Sequence, residues 1–180
     1  INSMCIDTTY DVPIREGLER GDCQDGTSRT TLRDTTKGET PMSESKPAVE
    51  GAIQAFAKIV TEQEYDRLPS LLAEDFVWRT PAAPDGPIKG VDNAREVIER
   101  INGGFPDFRA EPGDVFVEGN EGIAPVRFTG THEGEFMEIP PTGREIELTG
   151  MTKVRVVDGE LQEQHDVANM QTLLAQVGVA

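Results

Sequence analysis

Apolar positions follow one period in the first half of the patterned region and another in the second. Val49, Ile53, Phe56 and Val60 recur at helical spacing and form one apolar stripe. Pro47 suits the first turn of that helix, with Ser45 as its cap. Tyr65, Leu68, Leu71 and Leu72 predict a second, short helix, which the chain leaves through AEDFVW at 73–78. The Pro- and Gly-rich stretch TPAAPDGPIKG at 80–90 reads as a loop. Asp92 or Asn93 then caps a third helix whose stripe is Ala94, Val97, Ile98 and Ile101, ending near Gly103 and Gly104.

After Pro106 the period changes to two. Strands are predicted at 108–118, 122–132, 144–157 and 160–167, with Asp158-Gly159 as a hairpin turn between the last two. Along 144–157, Ile146, Leu148, Thr152, Val154 and Val156 share one face, and Glu145, Glu147, Lys153 and Arg155 the other. That alternation marks an antiparallel sheet covered on one side. A last helix spans Met170 to Gln176. Helices on one face of a curved antiparallel sheet make an α+β domain, and the concave side is a natural small-molecule pocket.

Residues 1–46 carry no such period. They are rich in Thr, Ser, Asp, Arg and Gly and read as a disordered extension ahead of a domain at 47–180. The chain opens on Ile1, and Met42 directly precedes the patterned region, which marks it as a candidate natural start. Cys5 and Cys23 lie in this polar stretch and match no zinc or CxxC spacing. A reducing, cytoplasmic setting is the default reading. Acids outnumber bases 33 to 17, for a net charge of −16. Such a surface repels phosphate backbones and anionic membranes, and no apolar run is long enough to span a bilayer. Acid excess with only 5 lysines among the bases fits a salt-adapted protein as well as a plainly solvated one.

Candidate chemistry is sparse. There is no GxGxxG, P-loop or GxSxG motif, and 47–180 contains no cysteine. His132, in phase with Val126 and Phe128, should face the covered side, as a core residue or a catalyst. Asp166 lies where the last strand turns apolar at Val167 and Ala168. A carboxylate pushed into apolar surroundings gains proton affinity and can serve as a general acid or base; the alternative is a solvated strand-end acid. A two-residue turn at 158–159 places Leu161, His165 and Val167 on the covered face and Asp166 on the polar one. A pocket role for Asp166 therefore requires a β-bulge between about Glu163 and His165, or a pocket on the polar face; with neither, His165 takes the inward position. Phe56, Trp78, Phe105, Phe128, Phe136 and Met137 are candidates for the pocket wall.

FPDF at 105–108, VEGN at 117–120, GTHEGEFMEIPPTGREIELTG at 130–150 and VVDGELQEQHDVANMQTLLAQVG at 156–178 together resemble the SnoaL-like polyketide cyclase family, whose members are also described as predicted ester cyclases. The resemblance covers about residues 48–178. It implies a nuclear transport factor 2-like cone, with three to four helices and a curved antiparallel sheet around a deep pocket. It implies a small hydrophobic ligand, no metal, no organic cofactor, and a homodimer formed through the sheet. Asp166 matches the family's acid/base Asp, and His132 matches its Gly-Thr-His histidine. Trp78, Phe105, Phe136, Met137 and His165 become substrate-binding candidates. Arg79 joins them where the family often has a pocket-rim His, while His165 stands where Trp is common before the Asp. The implied activity is a cofactor-independent cyclisation or isomerisation of a small hydrophobic carbonyl or ester compound, with Asp166 as acid/base and His132 polarising the substrate. Relatives by fold also hydrolyse substrates or only bind ligands, which leaves a hydrolase or a non-catalytic binding module as the alternative.

Overall fold

The computed structural model describes residues 42–83 and 85–179. The expectations for residues 1–41, including those for Cys5 and Cys23, lie outside them. Helix α1 spans Met42–Glu62, followed by a 3-10 helix at Tyr65–Ser70 and strands β1 (Leu72–Arg79) and β2 (Ile88–Lys89). Helix α2 (Val91–Gly104) leads into β3 (Arg109–Pro112), β4 (Phe116–Glu118), β5 (Glu121–Thr131), β6 (Glu145–Val157) and β7 (Glu160–Ala168), and α3 (Met170–Val177) closes the domain. No helix among the described residues is long and apolar enough to cross a membrane.

The strands form one curved, unclosed sheet in the order β2-β1-β7-β6-β5-β3, with β4 also paired to β5. All pairings are antiparallel except β1 with β7, which run parallel. Strand β1 is an addition to the sequence reading, which ran the chain out of a helix there. The predicted helix at 65–72 is only the 3-10 turn, and Leu72 already belongs to the sheet. Helix α1 begins at Met42, so Pro47 lies inside it, not at its start. A proline this near the N-terminus forfeits one backbone hydrogen bond and does not stop the helix. Helix α2 starts from Gly90 at φ 78, ahead of Asp92 and Asn93; the Asn93 side chain instead donates back to the Lys89 carbonyl at 2.8 Å.

Val49, Ile53, Phe56 and Val60 are all buried, each burial worth about 1.5–3 kcal/mol. They meet Phe76, Ile98, Val154, Val156 and Leu161 in the larger core cluster. A second cluster, Phe105, Phe136, Ile146, Leu148, Leu173 and Val177, lies where α3 packs on β6. Asn169 caps α3 by accepting from the Thr172 backbone N–H at 3.2 Å. Asp158 and Gly159 turn β6 into β7 at φ 53 and 85, the mirror-image turn whose twist suits a hairpin.

One irregularity sets the direction of every later side chain in β7. Val156 pairs with Leu161 and Arg155 with Glu163, so Gln162 is the extra residue of a bulge. Beyond it, Gln164 faces Val154 and Asp166 faces Thr152. The bulge lies just before the interval the sequence required, and it turns Asp166 to the covered side.

Candidate active site

Between α1, α2, α3 and the concave face of the sheet lies a cavity of ≈ 120 Å³. Its wall is overwhelmingly apolar and aromatic: Phe56, Trp78, Phe105, Phe108, Phe128 and Phe136 all contribute. Phe56 and Trp78 meet edge to face with centroids 5.5 Å apart, and Phe105 and Phe136 do so at 5.2 Å. The polar side chains of the wall are Thr80, Thr152, Gln164 and Asp166, and no Lys, Arg or His is among the lining residues.

Asp166 is the ionisable group of this wall. The Trp78 indole N–H, brought alongside by the parallel β1–β7 pairing, donates to Asp166 Oδ2 at 2.6 Å. The Gln164 amide donates to Oδ1 at 3.1 Å and to Oδ2 at 3.0 Å. Burial pushes the Asp166 carboxyl above its ordinary proton affinity. Thr152, Trp78 and Gln164 pull it partly back, as does the charge of His165. Thr152 exerts its pull from the opposite position in the ladder. The group is thus a desolvated carboxyl aimed by two neutral donors, with no cation bound to it. Among the described residues, no three His, Cys, Asp or Glu side chains cluster in a way that could hold a metal ion.

Six of the ten residues singled out from the sequence converge on the cavity: Asp166, Phe56, Trp78, Phe105, Phe128 and Phe136. The other four do not reach its wall. His132 is 1% exposed and faces the covered side, but the Phe105 ring lies against it with centroids 5.2 Å apart. Its Nδ1 is 3.1 Å from Thr142 Oγ1, its backbone N–H donates to the Arg144 carbonyl, and its own carbonyl accepts from Thr142 and Gly143. His132 therefore ties together the base of the 133–143 loop. Arg79 and His165 are exposed partners in the β1–β7 ladder, and strand alternation turns both to the outer face. Met137 is 40% exposed. It and Glu138, at φ 51 and 63, are the central residues of a tight turn from Phe136 to Ile139, which sends Phe136 inward and Met137 outward.

The loop carrying Phe136 is docked on the C-terminal end of α2. The backbone N–H groups of Glu133 and Gly134 both donate to the Gly104 carbonyl, at 3.1 and 3.0 Å. A Cβ on Gly134 would overlap the Gly103 carbonyl, and one on Gly104 would overlap Phe136. The glycines of GTHEGEF and INGG thus allow the approach that seats Phe136 in the wall. Sequence reasoning missed Gln164 and did not single out Thr152 as a site residue. For Thr152 a signal existed, a polar residue in phase with Val154 and Val156 on a covered face; Gln164 gave none, because only the bulge turns it inward.

The sequence profile of the SnoaL-like polyketide cyclase family matches residues 50–177. No curated protein matches the chain. Among solved structures, IdmH from Streptomyces antibioticus, a candidate polyketide cyclase, is 29% identical at a TM-score of 0.64, with 72% of this chain and 98% of IdmH covered. AclR from Streptomyces galilaeus, a candidate hydroxylase, is 25% identical at a TM-score of 0.62, with coverage of 77% and 98%. TsrD from Streptomyces laurentii shares the fold at 22% identity and a TM-score of 0.66, covering 75% of this chain and 98% of its own.

Proposed function

This chain belongs to the SnoaL-like polyketide cyclase family, with its nuclear transport factor 2-like fold, and we propose that it cyclises or isomerises a small hydrophobic carbonyl or ester compound with Asp166 as general acid and base. The observation that carries this reading is the buried carboxyl on the wall of an apolar cavity, aimed by Trp78 and Gln164, its proton affinity raised by burial. A cavity that only held a ligand would need no desolvated acid.

In the ring-closing form, the Asp166 carboxylate takes a proton from the carbon beside the substrate's carbonyl. The enolate carbon attacks a second carbonyl of the same molecule, and the proton on Asp166 passes to the new alkoxide. One C–H bond and the π bond of the second carbonyl break, one C–C and one O–H bond form, and no oxidant or reductant is needed. Because no cationic side chain lines the wall, the developing enolate meets only neutral donors, the hydroxyls of Thr152 and Thr80. The substrate's own conjugation must carry most of that charge. Trp78 and Gln164 act as positioning residues, through the carboxylate.

Asp166→Asn keeps the shape of the side chain and removes its proton transfer. Turnover should fall by about 10²- to 10⁴-fold, the usual cost of losing a general base, with ligand affinity close to that of the wild type. Steady-state kinetics together with direct binding check this. Retention of more than about a tenth of the activity would reassign the proton-transfer role.

A further inference from the structure

Asp166 draws on three neutral donors. The Trp78 N–H and the Gln164 NH₂ donate to its carboxylate, and the Thr152 hydroxyl, opposite it in the ladder, lowers its proton affinity by a further hydrogen bond. What Gln164 and Thr152 leave facing the cavity is acceptors. Gln164 Oε1 is buried without a partner, and the Thr152 oxygen keeps its lone pairs. Each residue is only 5% exposed. Both lie on the Asp166 face of the β6–β7 ladder, because Thr152 pairs with Asp166 and Val154 with Gln164. No Lys, Arg or His is among the lining residues, and the rest of the wall is almost wholly apolar and aromatic.

A buried carboxylate held only by neutral donors lacks a counterion, and its raised proton affinity is the mark of that lack. A buried acceptor without a donor adds a cost that a bound group can return. The Gln164 amide cannot satisfy itself by turning over, since its oxygen would then face the Asp166 carboxylate. The complementary group therefore carries positive charge and several donors. An anionic group is excluded, because it would be buried beside Asp166 with no cation to meet it. A primary ammonium carries one positive charge and three N–H donors, and accepts nothing. It can give one N–H each to the carboxylate, Gln164 Oε1 and Thr152 Oγ1. Aromatic rings attract a cation in addition, and the 24 acids and 11 bases of residues 47–180, a net charge of −13, draw cations toward the domain. We propose that the cavity is a receptor for hydrophobic primary amines, with the ammonium group held by Asp166, Gln164 Oε1 and Thr152 Oγ1 and the hydrocarbon part against the aromatic wall. The binding does not rest on the acid/base reading of Asp166. Under that reading it has one consequence: an amine seated there occupies the base, so hydrophobic amines block turnover competitively.

The cavity is close in size to the about 150 Å³ apolar cavity known to admit benzene, so single-ring probes suffice. Isothermal titration of the full chain with benzylamine, benzyl alcohol and toluene measures the receptor without any turnover, at neutral pH, where an aliphatic amine is protonated. The wild type should bind benzylammonium at one site, about tenfold or more tighter than either neutral ring, as expected of hydrogen bonds between charged groups. The preference should survive in about 1 M KCl, which screens attraction to the acidic surface. Asp166→Asn should abolish it while leaving toluene within about twofold, and Gln164→Met should weaken benzylammonium by about threefold or more with toluene equally spared. A wild type that prefers either neutral ring or binds none of the three, a preference lost in KCl, or one that outlasts Asp166→Asn would each overturn the proposal. If Asp166→Asn does not fold, Gln164→Met and the isosteric Thr152→Val decide, and benzylammonium binding unchanged in both would overturn it. Amine preference in a protein whose Asp166→Asn variant still turns over would sink the acid/base reading and leave the receptor standing. Lost turnover in that variant, without amine preference in the wild type, would do the reverse.

Discussion

Asp166 behaves opposite to an ion-paired surface acid. Its folded form keeps a proton to higher pH than the unfolded chain does, because burial penalises the charge. The folded state thus binds more protons than the unfolded one in the interval between the two values. Folding stability contributed by this residue is present below the ordinary carboxylate range and is lost as pH rises through the raised folded value. Asp166→Asn removes that loss. Its melting temperature, compared with wild type across a pH series, should gain steadily through this interval and then level off; a difference that stays constant with pH would contradict the buried charge. Trp78 tests the same group from the other side. Its N–H at 2.6 Å stabilises the carboxylate, so Trp78→Phe, which keeps the ring and drops the donor, should raise the carboxyl's proton affinity further. The acid limb of the kcat/KM profile should then move to higher pH, with kcat lowered on the plateau. An unmoved limb would mean that the indole serves only to fill the wall.

At the level of elements, the bulge at Gln162 decides the site, because a shift of one residue turns every side chain beyond it to the other face. Deleting Gln162 should restore the simple alternation, carry Gln164 and Asp166 to the outer face and abolish turnover. Preserved activity in a folded deletion variant would show that the strand had recovered its bulge elsewhere. The docking of the 133–143 loop is equally exacting: Gly134→Ala sets a Cβ against the Gly103 carbonyl and should destabilise the domain by about 1–3 kcal/mol, the range for overpacking, read by thermal or denaturant unfolding. These elements were unequally legible in the sequence. Strands β5, β6 and β7 and helix α2 showed themselves because one covered face forces a clean period. Strand β1 did not: Leu72 and Ala73 are both buried, Glu74 and Asp75 both exposed, and its pairing with β7 shifts between Leu72 and Val77. The bulge is marked by no glycine or proline, only by Gln162, so the need for it could be argued and its exact place could not. Asp166 could be named by resemblance; its neighbour Gln164 could not, since its direction depends on that one unpaired residue. His132 lies on the covered side, but its hydrogen bonds to Thr142, Gly143 and Arg144 tie a loop, and the Phe105 ring lies tilted against it.

Over the whole molecule, charge and apolar surface point to the same face. Residues 47–180 carry 24 acids and 11 bases, a net charge of −13, so two copies repel over most approaches. The outer face of the sheet is the exception. Arg127, Lys153 and Arg155 stand there, each within 3.0 Å of a carboxylate of Glu111, Glu147, Glu121 or Glu163. Between them Ile123, Met151 and Val167 are 40%, 40% and 57% exposed. A locally neutral rim around an apolar centre is what an isologous two-fold contact requires. Pairing of two copies through this face predicts a dimer that Met151→Glu turns into a monomer by size-exclusion light scattering and that added KCl tightens by screening the distant repulsion. A monomeric wild type at high protein concentration and high salt would remove this face from consideration.

The contact between Trp78 and Asp166 also makes the protein an instrument. Trp78 is the chain's single tryptophan, and it lines the cavity with its N–H on the carboxylate. All indole emission therefore originates at the site, with no background from elsewhere in the fold. A molecule that enters the cavity, and a proton that arrives on Asp166, must each change the intensity or colour of that one signal. Compound collections can thus be sorted by fluorescence before any reaction is known, and the substrate can be sought by the light it alters, ahead of the product it leaves.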